Sequence, residues 1–274
     1  MATGIENKKL GFIGTGKMGE ALIKGLLYAK LISPDNIFAS DVDFAKLQML
    51  EKEYKISICK DNCAAVVDSD VIIIAVKPSI VPEVLAEIKN SIKRQLIISI
   101  AAGVTIATYE NALPRGTKVV RVMPNIAATV KEAASAISHG SAASKEDMAT
   151  ATSIFNAIGR TVTLPEHLMD AVTGLSGSGP AYIFMIIEAL ADGGVHEGLE
   201  RNTAKLLAAQ TVLGAARMVL EDKSHTSELK DMVTSPGGTT IRGLRVMEER
   251  GVRIAMMDAV IAASERSKEL GRKT

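Results

Sequence analysis

Short, uninterrupted apolar runs alternate with amphipathic segments through the first part of the chain. KKLGFIG, NIFAS, VIIIAV, LIISIA and VVRVM are rich in Val and Ile and apolar at successive positions. A strand needs that pattern when both of its faces are buried, because its side chains alternate between two covered layers. Between these runs, residues 17–29, 43–54, 79–90 and 144–158 carry apolar side chains at helical spacing. The order predicts βαβ units and an α/β fold, a Rossmann-type doubly wound sheet. Near GRTVTLPEH the β signal stops, and Pro165 followed by Glu166 marks a helix start. Everything beyond reads helical. The expected domains are 1–163, a Rossmann-type domain, and 164–274, an all-helical domain.

Residues 180–191 and 203–220 are apolar on nearly every face of a helix. A domain of about 110 residues cannot bury that much surface alone. A partner is expected to cover the excess, as an interlocked homodimer.

Composition narrows the rest. The chain has 274 residues, 32 Lys and Arg against 31 Asp and Glu, and a formal charge of +1. Charges are interspersed, and five Phe, four Tyr and no Trp leave few stacking platforms, so nucleic acid is not an expected partner. No apolar stretch precedes the first strand, and no apolar run approaches the roughly 20 residues that span a bilayer. A soluble, cytoplasmic protein without membrane contact is expected. Cys59 and Cys63 lack a nearby His or further Cys to complete a tetrahedral set, and His139, His167, His196 and His225 stand singly. No metal is expected.

The first chemical motif is LGFIGTGKMGEALIKGLL, in which Gly14, Gly16 and Gly19 form GxGxxG directly after a strand pattern and at the start of a helix. Gly14 permits the tight turn, Gly16 lets backbone approach a pyrophosphate, and Gly19 lets the helix pack closely on the strand. The helix N-terminus adds unpaired amides and a positive dipole. Asp41, at the end of NIFASD, lies twenty-two residues after Gly19, near the spacing expected of a carboxylate that meets the adenine ribose. A carboxylate there favours NADH over NADPH, without excluding NADPH. The alternative is that Asp41 caps the helix beginning near Asp43. In AVKPS, Pro78 ends a strand and leaves Lys77 at the carboxyl edge of the sheet, where open α/β sheets bind ligands.

Far downstream, MVTSPGGTTIRGL also has the composition of an anion-holding loop. Pro236 can begin a helix, Gly237 and Gly238 let amides approach a ligand, and the helix through Leu244 adds its dipole. A simple turn before a helix is the plainer alternative.

GLSGSGPAYIFMIIE resembles the Gly-rich helix start of β-hydroxyacid dehydrogenases. That class carries a catalytic Lys and Asn where this chain has Ile183 and Ile187, so its proton transfer has no acceptor here. A second resemblance covers nearly the whole chain. GFIGTGKMGEAL, AVKPSIVPEVL, ISIAAGVTI, RVMPNIAATVKEA, GLSGSGPAYIF, ALADGGVHEGL and LKDMVTSPGGTTIRGL, in this order, are similar to the pyrroline-5-carboxylate reductase family of proline biosynthesis. Two positions depart from it: Ile126 stands where a threonine is usual in bacterial members, and Asp41 replaces a small polar residue that in some members meets a 2′-phosphate.

The resemblance implies NAD(P)H-dependent reduction of 1-pyrroline-5-carboxylate to proline, with the all-helical second domain serving substrate binding and dimerisation, and dimers assembling into a decamer. It places the substrate carboxylate on Ser235, Gly238, Thr239 and Thr240, with Thr240 the hydroxyl that meets the imine nitrogen. Cofactor contacts are implied at Ile13, Gly14, Thr15, Gly16, Lys17, Met18, Gly19, Asp41, Asn62, Ala75, Val76, Lys77, Pro78, Ile100, Ala101 and Ala102. A protonated imine already accepts hydride readily, so orientation is most of the task, and a threonine hydroxyl is too weak an acid to be the proton source at neutral pH. Reduction of another cyclic imine or a hydroxyacid, and a non-catalytic dinucleotide sensor, stay open as alternatives.

Overall fold

The computed structural model describes residues 5–222 and 224–271. Its strands are β1 (Leu10–Ile13), β2 (Ile37–Ser40), β3 (Ser57–Ile58), β4 (Val71–Ile74), β5 (Leu96–Ser99), β6 (Lys118–Met123), β7 (Ala133–His139) and β8 (Gly159–Thr163). They form one sheet in the order β3-β2-β1-β4-β5-β6-β7-β8. Neighbours pair in parallel except β6 and β7, where Val122 faces Ile137 in an antiparallel register. The winding reverses between β1 and β4, the switch point at which open α/β sheets leave a crevice.

The apolar runs are explained by cover on both faces. Helices α1 (Lys17–Tyr28), α2 (Phe44–Tyr54), α3 (Asn62–Val67), α4 (Val81–Ile88), α5 (Ile106–Ala112) and α6 (Lys145–Asn156) supply it. Within β4, Val71 and Ile73 pack into a core with α1, α2 and α6, while Ile72 and Ile74 pack into a second core with α3, α4 and α5. Local capping starts several of these helices: Asp43 accepts from the Lys46 amide, Asp61 from Ala64, and Ser144 forms a reciprocal box with Asp147.

The chain divides into two compact units, 5–178 with 262–271, and 179–261. In the first, β8 leads through α7 (Met169–Val172) into a π-helix, Thr173–Gly177. The Arg121 guanidinium, 5% exposed, donates to Glu166 Oε1 at 3.1 Å, and the same oxygen accepts the Ile106 amide at 2.7 Å. Charge pairing thus anchors the segment after β8 to the sheet. The remaining helices are α8 (Gly179–His196), α9 (Arg201–Glu221), α10 (Thr226–Met232), α11 (Thr239–Glu249) and α12 (Val252–Gly271). The last turns of α12 belong with the sheet: Ser267 donates to Asp170 at 2.7 Å, and a Cβ on Gly271 would lie 2.9 Å from the Gly103 carbonyl oxygen.

The helical unit buries little of its own apolar surface. Its described buried hydrophobics are Ala191, Ala204, Ala208 and Leu229, whereas Phe184 and Leu206 are 63% and 67% exposed. Within the helical run Glu166–His196 an 18-residue window, at a mean hydropathy of 1.2, is long and apolar enough to cross a membrane by length and composition only. Glycines, serines and four acidic residues (Glu166, Asp170, Glu188 and Asp192) interrupt the run, so it contains no uninterrupted apolar stretch of that length.

Candidate active site

The crevice at the switch point is built by the glycine loop. Gly14 adopts φ +93°, its amide donates to the Ser40 carbonyl at 2.9 Å, and a Cβ on it would lie 2.8 Å from the Ala75 carbonyl oxygen. A Cβ on Gly19 would collide with the Gly14 carbonyl oxygen. These two glycines press the loop, α1 and β4 together. Gly16 differs, since a Cβ there meets no protein atom within 4 Å. It is the N-cap of α1 and supplies no side-chain cap, so the first turn, with Lys17 exposed and Met18 half-buried, presents uncapped backbone to open space. A pyrophosphate fits this cradle, because amides and dipole face a gap that any side chain at Gly16 would fill.

Thr15 and Asp41 take a different arrangement from the two weighed for Asp41. Asp41 Oδ2 accepts the Thr15 amide at 2.6 Å and the Thr15 hydroxyl at 2.9 Å, and Oδ1 accepts the Asp43 amide at 3.0 Å. Asp43, not Asp41, is the cap of α2. Burial raises the Asp41 carboxyl, but the Asp43 and Thr15 amides, the Thr15 hydroxyl and the Lys46 charge outweigh it and hold it below the ordinary carboxylate value. Thr15 is fully buried, with both its donors engaged by Asp41. Beside them Ser40 lies 2.8 Å from Asn62 Oδ1, and Asn62 donates to Glu87 at 2.6 Å. The crevice has a volume of about 480 Å³ and is walled by Ile13, Gly14, Gly16, Asp41, Asn62, Ala75, Val76 and Lys77.

Lys77 also lines a second cavity of about 820 Å³ along the same edge, with Pro78, Ala102, Gly103, Thr173, Ser178 and, from α12, Arg266. Just past β5, Ile100 is half-buried and Ala101 buried. Sequence reasoning singled out neither Thr173, Ser178 nor Arg266. GLSGSGP carried a signal, since a tract that small marks close approach, but nothing in it announces a π-helix.

In the helical unit, Ser235 to Gly238 form a turn: the Gly238 amide donates to the Ser235 carbonyl at 3.1 Å, and Gly237 has φ +69°. Pro236 and Gly237 therefore occupy the two central positions of a type II turn. Pro236 does not begin the helix. Gly238 is the N-cap of α11 without a side-chain cap, Thr239 and Thr240 form the first turn, and Ser235 and Thr239 are exposed while Gly238 and Thr240 are half-buried.

A family model described as pyrroline-5-carboxylate reductase dimerisation matches residues 166–270, and one described as NADP oxidoreductase, coenzyme F420-dependent, matches 9–103. A pyrroline-5-carboxylate reductase of Methanosarcina acetivorans is 58% identical over 98% of this chain and 100% of its own length. The chain belongs to the pyrroline-5-carboxylate reductase family. Among solved structures, the Coxiella burnetii pyrroline-5-carboxylate reductase is 36% identical at a TM-score of 0.92, covering 97% of this chain and 99% of that one. The Plasmodium falciparum pyrroline carboxylate reductase, solved with NADP bound, is 36% identical at 0.88 with the same coverage. Membership in this family makes the chain an NAD(P)H-dependent oxidoreductase.

Proposed function

We propose that the chain reduces 1-pyrroline-5-carboxylate to proline with NAD(P)H. The observation that carries this reading is the pairing of an open, uncapped glycine cradle at the sheet's switch point with whole-length similarity to a reductase of that name. Bound in the cradle, the reduced nicotinamide supplies a hydride to the imine carbon. The imine nitrogen takes its proton from water, so the protein's part is to bind and orient.

In this reading residues 1–163 hold the dinucleotide and 164–274 hold the substrate and self-associate, with 164–178 and 262–271 packed in the same compact unit as the sheet. The Gly16 cradle and the first turn of α1 carry the pyrophosphate, Gly14 and Gly19 shape the turn, and the backbone at Ala75–Pro78 and Ile100–Ala102 borders the nicotinamide half. Thr15 acts through Asp41. Asp41, with Asn62 beside it, faces the adenine ribose and tilts the choice toward NADH. Ser235, Gly238, Thr239 and Thr240 clamp the carboxylate with uncapped amides and hydroxyls, and Thr240 orients the imine nitrogen. The exposed apolar faces of α8 and α9 are those of a homodimer, which assembles into a decamer in the cytoplasm; they, rather than a bilayer, account for the apolarity of Glu166–His196.

A spectrophotometric assay of NADH and NADPH oxidation against a small panel of cyclic imines and hydroxyacids tests this reading. Turnover of pyrroline-5-carboxylate above the others is expected. Preference for pyrroline-2-carboxylate or a hydroxyacid would reassign the substrate, and dinucleotide binding without any turnover would make the chain a sensor.

A further inference from the structure

The π-helix Thr173–Gly177 is clamped to the carboxyl end of β6 from two sides. Asn125 Nδ2 donates to the Ser176 carbonyl at 2.9 Å, and a Cβ on Gly177 would lie 2.7 Å from Met123 Cε. The turn closes with the Ser178 amide donating to the Thr173 carbonyl at 2.9 Å. A π-helix holds one residue more per turn than its neighbours, costs hydrogen-bond quality, and recurs at functional sites. Here its effect is to set Ser178 on the wall of the cavity that continues from the dinucleotide crevice past Lys77.

The rest of that wall suits a flat aromatic ring. Pro78, Ala102, Gly103 and Leu270 are apolar, and Lys77 and Arg266, its charged members, are donors without an acceptor. Of the cavity's other hydroxyls, Thr173 donates back to the Met169 carbonyl at 2.9 Å, Ser267, 4% exposed, donates to Asp170, and Ser79 is exposed to solvent. Ser178 is half-buried, and a serine oxygen keeps acceptor lone pairs whatever its proton does. A nicotinamide ring carries one amide NH2 that needs such an acceptor.

We propose that the Ser178 hydroxyl oxygen accepts a hydrogen bond from the carboxamide NH2 of the nicotinamide ring, and that Asn125 is the positioning residue that holds Ser178 there through the π-helix. The proposal rests on the reading that a dinucleotide occupies the crevice. It adds the contact that fixes which face of the ring, and hence which hydrogen at C4, is turned to the substrate.

Calorimetric binding to the full chain tests it, with NADH or NADPH, whichever binds tighter, and with the matching ADP-ribose fragment that lacks the ring. Ser178→Ala should weaken the dinucleotide about three- to tenfold, the worth of one neutral hydrogen bond, and leave the fragment unchanged. The reduced 3-acetylpyridine analogue, with methyl in place of NH2, should bind wild type and Ser178→Ala equally. Asn125→Ala should weaken the dinucleotide but not the fragment, and the double variant should be no weaker than the weaker single one. Unchanged fragment binding also shows that each variant is folded. If Ser178→Ala binds dinucleotide normally, loses the fragment equally, or still discriminates against the analogue, the proposal falls while the reductase reading stands. A wild type that binds no dinucleotide overturns both.

Discussion

Asp41 and Thr15 are joined by two hydrogen bonds onto one carboxylate oxygen, the Thr15 amide at 2.6 Å and its hydroxyl at 2.9 Å. The residue expected to read the ribose is therefore also the fastener of the glycine loop. The two duties are compatible, because Oδ1 accepts from Asp43 alone and the carboxylate remains on the wall of the crevice.

Replacing Asp41 with Ser should shift the NADPH to NADH ratio of kcat/KM toward NADPH by about tenfold, since a negative charge opposing a 2′-phosphate is removed. Both cofactors should lose some affinity as Thr15 is freed and the loop loosens. Steady-state kinetics with each cofactor decide it. Equal losses for the two would assign the carboxylate to the loop alone, and a wild type that strongly prefers NADPH would show that the ribose is read by other groups.

Acid stability offers a check that needs no turnover. The Asp41 carboxyl titrates below its ordinary value in the folded chain, so the folded state binds fewer protons there than the unfolded one. Its stabilisation is present above the unfolded value of about 3.9 and is lost as pH falls through the lower folded value. Asp41→Asn removes the charge and sets an NH2 among donors, so it should unfold more easily at neutral pH. The gap in thermal midpoint between wild type and variant should narrow as pH drops below about 4. A gap constant from neutral to strongly acid pH would show that the depressed carboxyl contributes nothing.

The apolar runs of β1, β2, β4, β5 and β6 were legible because burial on both faces leaves few polar positions in such short strands. β7 was not: AASAISH has a single β-branched residue, and its place against β6 depends on an antiparallel pairing that no local pattern specifies. β3 is two residues long and three of the five residues of β8 are exposed, so neither gives an apolar run. GxGxxG announced the cradle through backbone geometry, which glycine spacing encodes. The turning of Asp41 onto Thr15 and the setting of Ser178 by Asn125, fifty-one residues from Ser176, are long-range side-chain events. Spacing along the chain carries no trace of them.

The helical unit's exposed apolar faces give the assembly prediction. Phe184 and Met185 on α8 and Leu206 on α9 are each more than 60% exposed, an arrangement that costs solubility unless a partner covers it. Phe184→Glu with Leu206→Glu should convert a dimer or larger assembly into monomers in sedimentation velocity, because two buried carboxylates without partners are strongly unfavourable. Dinucleotide binding, which needs the sheet unit, should survive. A wild type that sediments as a stable, active monomer at micromolar concentration would end the homodimer reading.

The type II turn at Ser235–Gly238 sets the last test, because it separates two lesions that a plain loop would not distinguish. Thr240→Ala removes one hydroxyl and leaves the uncapped amides of α11 in place. If that hydroxyl meets the imine nitrogen mainly in the transition state, the loss should be about 1.5 to 3 kcal/mol and appear chiefly in kcat. Gly238→Val instead places a branched side chain against the Ser235 hydroxyl and within 3.2 Å of the Ser235 carbonyl oxygen, so it both crowds the turn and covers the amides. It should raise KM for the imine while dinucleotide affinity stays as it was, since the cradle lies in the other unit. Thr240→Ala with full activity, together with Gly238→Val with an unchanged KM, would make SPGGTT a turn and nothing more, and the carboxylate would then have to be sought at Lys77 and Arg266, the cations that line the cavity beyond the crevice.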